Sequence, residues 1–112
     1  MTILKNRTFD ELTLGDQAKL IHTITEKDLL LFAYVTGDTN PLHLNESYAK
    51  TTQFGQRIVH GMFSASLVAS AIGTQLPGPG TIFRGQEMKF QQPVFVVIEF
   101  ISCRVVEAVP QF

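Results

Sequence analysis

Apolar and polar positions alternate along Ala18-Lys19-Leu20-Ile21-His22-Thr23-Ile24, where Ala18, Leu20 and Ile24 recur at even spacing among β-branched residues. A period of two with that composition predicts an early, half-buried strand. His22 lies on the same parity and has no partner at metal-ligand spacing, so it reads as an ordinary strand histidine. The period then changes. Thr25-Glu26-Lys27-Asp28 has the spacing of a capping box, with Thr25 set to accept from an early amide and Asp28 to reach back. The apolar run from Leu29 to Val35 follows as a helix that Gly37 closes, since a residue free to take positive φ ends a helix at low steric cost. Asn45 is placed to cap a short helix through Ser47 to Lys50, Thr51 to Arg57 reads as loop, and Ile58-Val59 as a short extended piece.

From Met62 to Thr74 there is no charge, and small residues are interleaved all round. Such a helix is expected to be buried on every side, as a central helix wrapped by a sheet. Leu76-Pro77-Gly78-Pro79-Gly80 breaks it, Thr81 to Phe90 reads as a strand with a bulge at Gly85, and after Gln91-Gln92-Pro93 a nearly continuous apolar run from Val94 to Val106 reads as the last strand. Upstream, Phe9 to Leu12 and Leu14-Gly15-Asp16 read as an apolar anchor and a turn. Strand, helices, then strands make an α+β chain. No repeat, low-complexity segment or linker divides it, and one domain over 1–112 is expected.

The candidate chemistry lies in Gly37-Asp38-Thr39-Asn40-Pro41-Leu42-His43, with His60-Gly61 behind it. Asp38 and Asn40 can bond nearby amides and Pro41 fixes its own φ, so the loop is stiff. Stiffness matters because an acid–base pair acts only when both groups stay within hydrogen-bond reach of one water or substrate atom. On local sequence alone two readings stand: Asp38 as a turn residue with His43 as a packed histidine, or the two as an acid–base pair. Gly61 likewise either permits a tight turn or presents helix-terminal amides to an anion or a developing oxyanion.

Composition narrows the partners. A chain of 112 residues with 45% hydrophobic and 17% charged residues is core-rich and leaves surface for a subunit interface. Nine basic against ten acidic residues, with no basic run, give no electrostatic footprint for nucleic acid. No apolar stretch approaches the ~18 residues of a membrane span, no signal-peptide core follows Met1, and the single Cys103 has no internal disulfide partner. A cytoplasmic protein is expected.

The run Gly37 to Asn45, followed by Tyr48-Ala49, Phe54, Ile58-Val59-His60-Gly61-Met62 and Leu76 to Ile82, resembles the MaoC-like (R)-specific enoyl-CoA hydratases. The resemblance extends from about Phe9 to Val106. It implies a hotdog fold, in which an antiparallel sheet wraps a central helix, and pairing of chains into homodimers. It implies an acyl-CoA thioester substrate, a role in fatty acid metabolism, and no metal or other cofactor, coenzyme A being part of the substrate. Asp38 and His43 match the family's catalytic pair, and Gly61 matches the glycine whose amide meets the thioester oxygen. Two departures accompany it. The family's supporting helix serine aligns with Ala69, with Ser66 and Ser70 nearby on other faces, and the chain ends at Phe112 where one or two further strands are expected. The alternatives are an acyl-carrier-protein dehydratase and a non-catalytic acyl-CoA-binding or assembly subunit.

Overall fold

Strand β1 (Gln17–Thr23) alternates between exposed and half-buried positions, with Ala18, Leu20 and His22 on the sheltered face. That is the expected parity, and buried Ile24 continues it one residue past the strand. In the computed structural model, which describes residues 5–96 and 98–105, β1 pairs with β2 (Ile98–Arg104) in a two-stranded sheet. At the start of β1 and the end of β2, the Gly15 N–H donates to the Val105 carbonyl at 2.7 Å and the Val105 N–H to the Asp16 carbonyl at 2.9 Å, so the strands are antiparallel. Val97 and Val106, which the expected last strand included, lie outside the described residues.

The chain falls into two compact units, one of Met1–Ile21, Ser66–Gln86 and Phe100–Phe112, the other of His22–Ala65 and Glu87–Glu99. In the first, residues ahead of β1 form a 3₁₀ turn (Phe9–Glu11), and the Arg7 guanidinium bonds the Asp16 carboxylate at 2.6 Å.

The second unit holds helix α1 (Glu26–Thr36), and its capping box forms as its sequence predicts. Thr25 Oγ1 accepts from the Asp28 N–H at 3.2 Å, while the Asp28 carboxylate accepts from the Thr25 N–H at 2.9 Å. Gly37 ends the helix at φ 77°, its N–H donating to the Ala33 carbonyl at 2.8 Å. The inner face of α1 supplies fully buried Leu29 to a core shared with Ile24 and Val59, against which Leu44, Phe63 and Val94 pack. Val59 is stitched there by its N–H, which donates to the Val94 carbonyl at 2.7 Å.

Two expectations are corrected. Helix α4 (Gly61–Thr74) buries Ala65, Leu67 and Ala71, yet Met62, Ser66 and Ser70 form an exposed stripe at four-residue spacing. It is therefore not enclosed on every side, because small uncharged residues permit burial without requiring it. Thr81 to Phe90 forms no strand, and no bulge exists at Gly85. A strand exists only where a neighbour accepts its ladder bonds, and the described sheet contains β1 and β2 alone. Ile82, Phe83, Met88 and Phe90 are left exposed, Ile82 at 78%.

Candidate active site

The segment from Gly37 to Asn45 is built by short polar contacts. The Asp38 N–H donates to Thr36 Oγ1 at 3.2 Å, and Asp38 Oδ1 accepts from the Asn40 N–H at 3.2 Å, closing an Asx turn. Asn40 Oδ1 in turn accepts from the Leu42 N–H at 3.0 Å and caps α2 (Pro41–Leu44), a single helical turn with proline at its first position. His43 rides on that turn, so the stretch between the two candidate groups is an Asx turn plus one helical turn rather than loop throughout. Asn45 then caps α3 (Glu46–Ala49), accepting from the Tyr48 N–H at 3.0 Å.

The His43 ring is buried, and its Nδ1 lies 2.8 Å from the Ile58 carbonyl. A carbonyl offers only lone pairs, so Nδ1 carries the proton and donates it, which in the neutral ring makes Nε2 the acceptor. Asp38 is half exposed and is not among the residues lining the nearby cavity, but its carboxylate joins His43 and His60 in a cluster whose N and O atoms lie within 4.8 Å of one another. His60 is the member to which sequence reasoning gave no role. It is 2% exposed, its Nε2 lies 3.1 Å from the Asp38 main-chain carbonyl, and its ring stacks on that of His43 with centroids 3.9 Å apart and planes at 26°.

A cavity of ≈ 370 Å³ opens beside this cluster, entirely within the second unit. His43, Gly61 and Ser64 stand on its polar edge together with Gln91 and Gln92, and Phe54, Ile58 and Phe90 are among its apolar walls. Gly61 is the first residue of α4, where amides lack intrahelical acceptors. The Phe90 ring lies against it so closely that a Cβ at position 61 would sit 3.1–3.3 Å from three ring carbons. The structure thus brings His43 and Gly61 to one cavity and Asp38 beside His43. Ala69 and the serines near it do not line that cavity, whereas Ser64 does. Its signal was available: position 64 is three after Gly61, hence on the same side of the helix.

Arg57 braces the wall between Phe54 and Ile58. Only 16% exposed, its guanidinium bonds the carboxylate of Glu26 and, at 3.1 Å, that of Glu46. The Glu26 bond, partly offset by burial and reinforced by Glu46, raises the Arg57 pKa above its ordinary value. A second pair joins β1 to α1, with His22 Nε2 3.0 Å from Asp28 Oδ2. Burial pushes the Asp28 carboxyl up, but the Thr25 N–H and then His22 outweigh it, leaving its pKa below the usual aspartate value. His22 is therefore more than a strand histidine, because it supports the helix cap.

By residue type, Asp38, His43 and His60 are metal-capable, and they are the group of that kind among the described residues. Imidazole lone pairs lie in the ring plane, and stacked rings send them along nearly parallel planes instead of converging on one ion. Nε2 of His60 is also engaged with the Asp38 carbonyl.

Comparison with known proteins adds what geometry alone does not. Residues 14–99 match the MaoC like domain. The chain is 50% identical over 86 residues to the (R)-specific enoyl-CoA hydratase of Rhodospirillum rubrum, covering 77% of this chain and 60% of that protein. It is 39% identical over 105 residues to the 3-hydroxybutyryl-CoA dehydratase of Methylorubrum extorquens, covering 92% and 66%. The match therefore spans less than two thirds of either relative. Among solved structures, the unliganded R-hydratase PhaJ1 of Pseudomonas aeruginosa superposes with a TM-score of 0.89 at 47% identity, over 95% of this chain and 69% of that one.

Proposed function

The chain belongs to the MaoC-like domain family and has its hotdog fold, and from that premise we propose that it hydrates trans-2-enoyl-CoA thioesters to (3R)-hydroxyacyl-CoA, and dehydrates them in reverse. The observation that supports this reading is the nearness of Asp38 to His43, within 4.8 Å in the cluster with His60, the His43 ring lining a cavity that also includes Gly61.

The chemistry follows from those groups. Water must lose a proton as its oxygen bonds to C3, C2 must gain one, and the thioester oxygen must be stabilised while negative charge gathers on it. His43 Nε2 and the Asp38 carboxylate share the two proton transfers. The Gly61 amide, at the start of a 14-residue helix, donates to the thioester oxygen, and the helix dipole adds to its effect. The apolar walls at Phe54, Ile58 and Phe90 receive the acyl chain and exclude bulk water, which strengthens each of these interactions. No metal or redox cofactor enters the sequence of steps.

Two copies are proposed to pair. Exposed Ile82, Phe83 and Met88, which no described strand covers, support a covered state for that stretch. A coenzyme A thioester as substrate favours work in the cytoplasm.

The test is loss of the conjugated-thioester absorbance of crotonyl-CoA. Turnover by the wild type with a drop of about 10²–10⁴-fold in kcat for Asp38→Asn is the expected outcome. An Asp38→Asn variant as fast as wild type would remove the carboxylate from the mechanism.

A further inference from the structure

His60 is a polar ring in a place where an apolar one would pack. It lies between the Phe32 ring, at 5.0 Å between centroids, and the His43 ring, at 3.9 Å. Its Nδ1 is buried and meets no hydrogen-bond partner among the described residues. Burying a polar atom in that way costs stability that a phenyl ring would not cost. Histidine at this position therefore does something that packing alone does not require.

What it does follows from its other nitrogen. The Asp38 main-chain carbonyl is an acceptor, so Nε2, 3.1 Å away, carries the proton and donates it. From within its own segment, Asp38 is held by the contacts to Thr36 and Asn40. The hydrogen bond that ties its main chain to a distant part of the sequence comes from His60. His43 has the complementary need. Its Nδ1–H is anchored on the Ile58 carbonyl, which fixes one point of the ring and leaves the tilt of its plane open. The face of His60 lies stacked on that plane, with 26° between the rings.

We infer that His60 is the positioning residue of this site, its Nε2–H holding the Asp38 main chain and its ring face holding the plane of His43. The inference rests on the acid–base reading of Asp38 and His43, and it adds a residue that touches neither water nor substrate. One side chain sets both members of the pair in a common frame. Displacements on the order of 1 Å at such a pair cost about 10²-fold in rate.

Two substitutions separate the two contacts. His60→Gln puts an amide N–H near the place of Nε2 without a ring face, and His60→Phe keeps a ring face without the donor. Each is assayed with crotonyl-CoA beside wild type and Asp38→Asn, and imidazole ¹⁵N NMR of the 112-residue chain reports where the ring protons sit. The expected result is a fall of about 10- to 10²-fold in kcat for both variants with KM nearly unchanged, and wild-type spectra with His60 protonated at Nε2 and His43 at Nδ1. In both variants the His43 ring signal shifts or broadens while the backbone amide spectrum persists. Wild-type kcat in both His60 variants, with turnover lost in Asp38→Asn, overturns the positioning role and leaves the acid–base reading intact. Full activity of Asp38→Asn overturns that reading and the positioning role with it. If a variant does not fold, the wild-type spectrum still decides, because a His60 protonated at Nδ1 instead of Nε2 defeats the inference whatever the turnover.

Discussion

The stretch from Gly37 to His43 and the stretch from Thr81 to Phe90 both lie outside the sheet and are both largely exposed, yet they are held in opposite ways. In the first, nearly every residue bonds a neighbour two to four positions away: Gly37 to Ala33, Asp38 to Thr36, Asn40 to Asp38, Leu42 to Asn40. In the second, the side chains are those of a strand and the ladder is missing. The difference teaches where order comes from. Turn and cap chemistry is complete within a few residues, whereas a strand depends on acceptors supplied from elsewhere.

That contrast can be broken at its foundation first. Leu29→Ala removes a fully buried side chain of the second unit and is expected to cost about 2–5 kcal/mol in chemical denaturation, enough to loosen the self-held stretch that follows its helix. Gly37→Ala acts on the self-held stretch alone. At φ 77° a Cβ is strained although nothing crowds it, so a loss of about 1–2 kcal/mol in the same measurement is expected, with crotonyl-CoA turnover falling further than stability explains.

A smaller effect should come from Asp28→Asn, which keeps the side chain's size and weakens the capping box, at about 1 kcal/mol near neutral pH. Because the folded carboxyl has a lowered pKa, its contribution is complete above the ordinary aspartate value and disappears as the pH falls through the folded one. Wild type and variant should therefore converge in acid, and unfolding curves that stay parallel down the acid limb would disprove the linkage. Smallest of all is Ile82→Ser in the unladdered stretch. It should change the stability of a single chain by no more than about 0.5 kcal/mol, while light scattering shows whether pairing of copies is weakened. A large loss of single-chain stability would mean that this stretch is held after all.

The same contrast explains what the sequence made legible. The capping box at Thr25 and Asp28, the stop at Gly37 and the cap at Asn45 were readable because donor and acceptor are close in sequence. Strand β1 was readable because its sheltered face repeats every second residue. The α2 turn carried its own signals, an asparagine cap and a proline at the first position, but four residues are too few to give a period. The strand expected at Thr81 to Phe90 went unrealised because residue type reports a preference for pleated surface and says nothing of a neighbour. The exposed face of α4 was hidden because serine and alanine fit either environment. Of the candidate site, Asp38, His43 and Gly61 could be proposed from their motif, but the carbonyls that face His43 Nδ1 and His60 Nε2 lie 15 and 22 residues away in the chain.

The Phe90 ring lying over Gly61 links two positions 29 apart in the chain, and it does so through space alone. In a pooled library of variants, alanine at position 61 should be recovered mainly beside a smaller residue at position 90, since the exposed ring is what must give way. Selection for expressed protein would barely register this dependence, because an exposed side chain can swing aside at little cost. Under the proposed hydration, selection for growth on an enoyl thioester would register it sharply, and the two positions would drift together as a covarying pair whose signature belongs to function and not to folding.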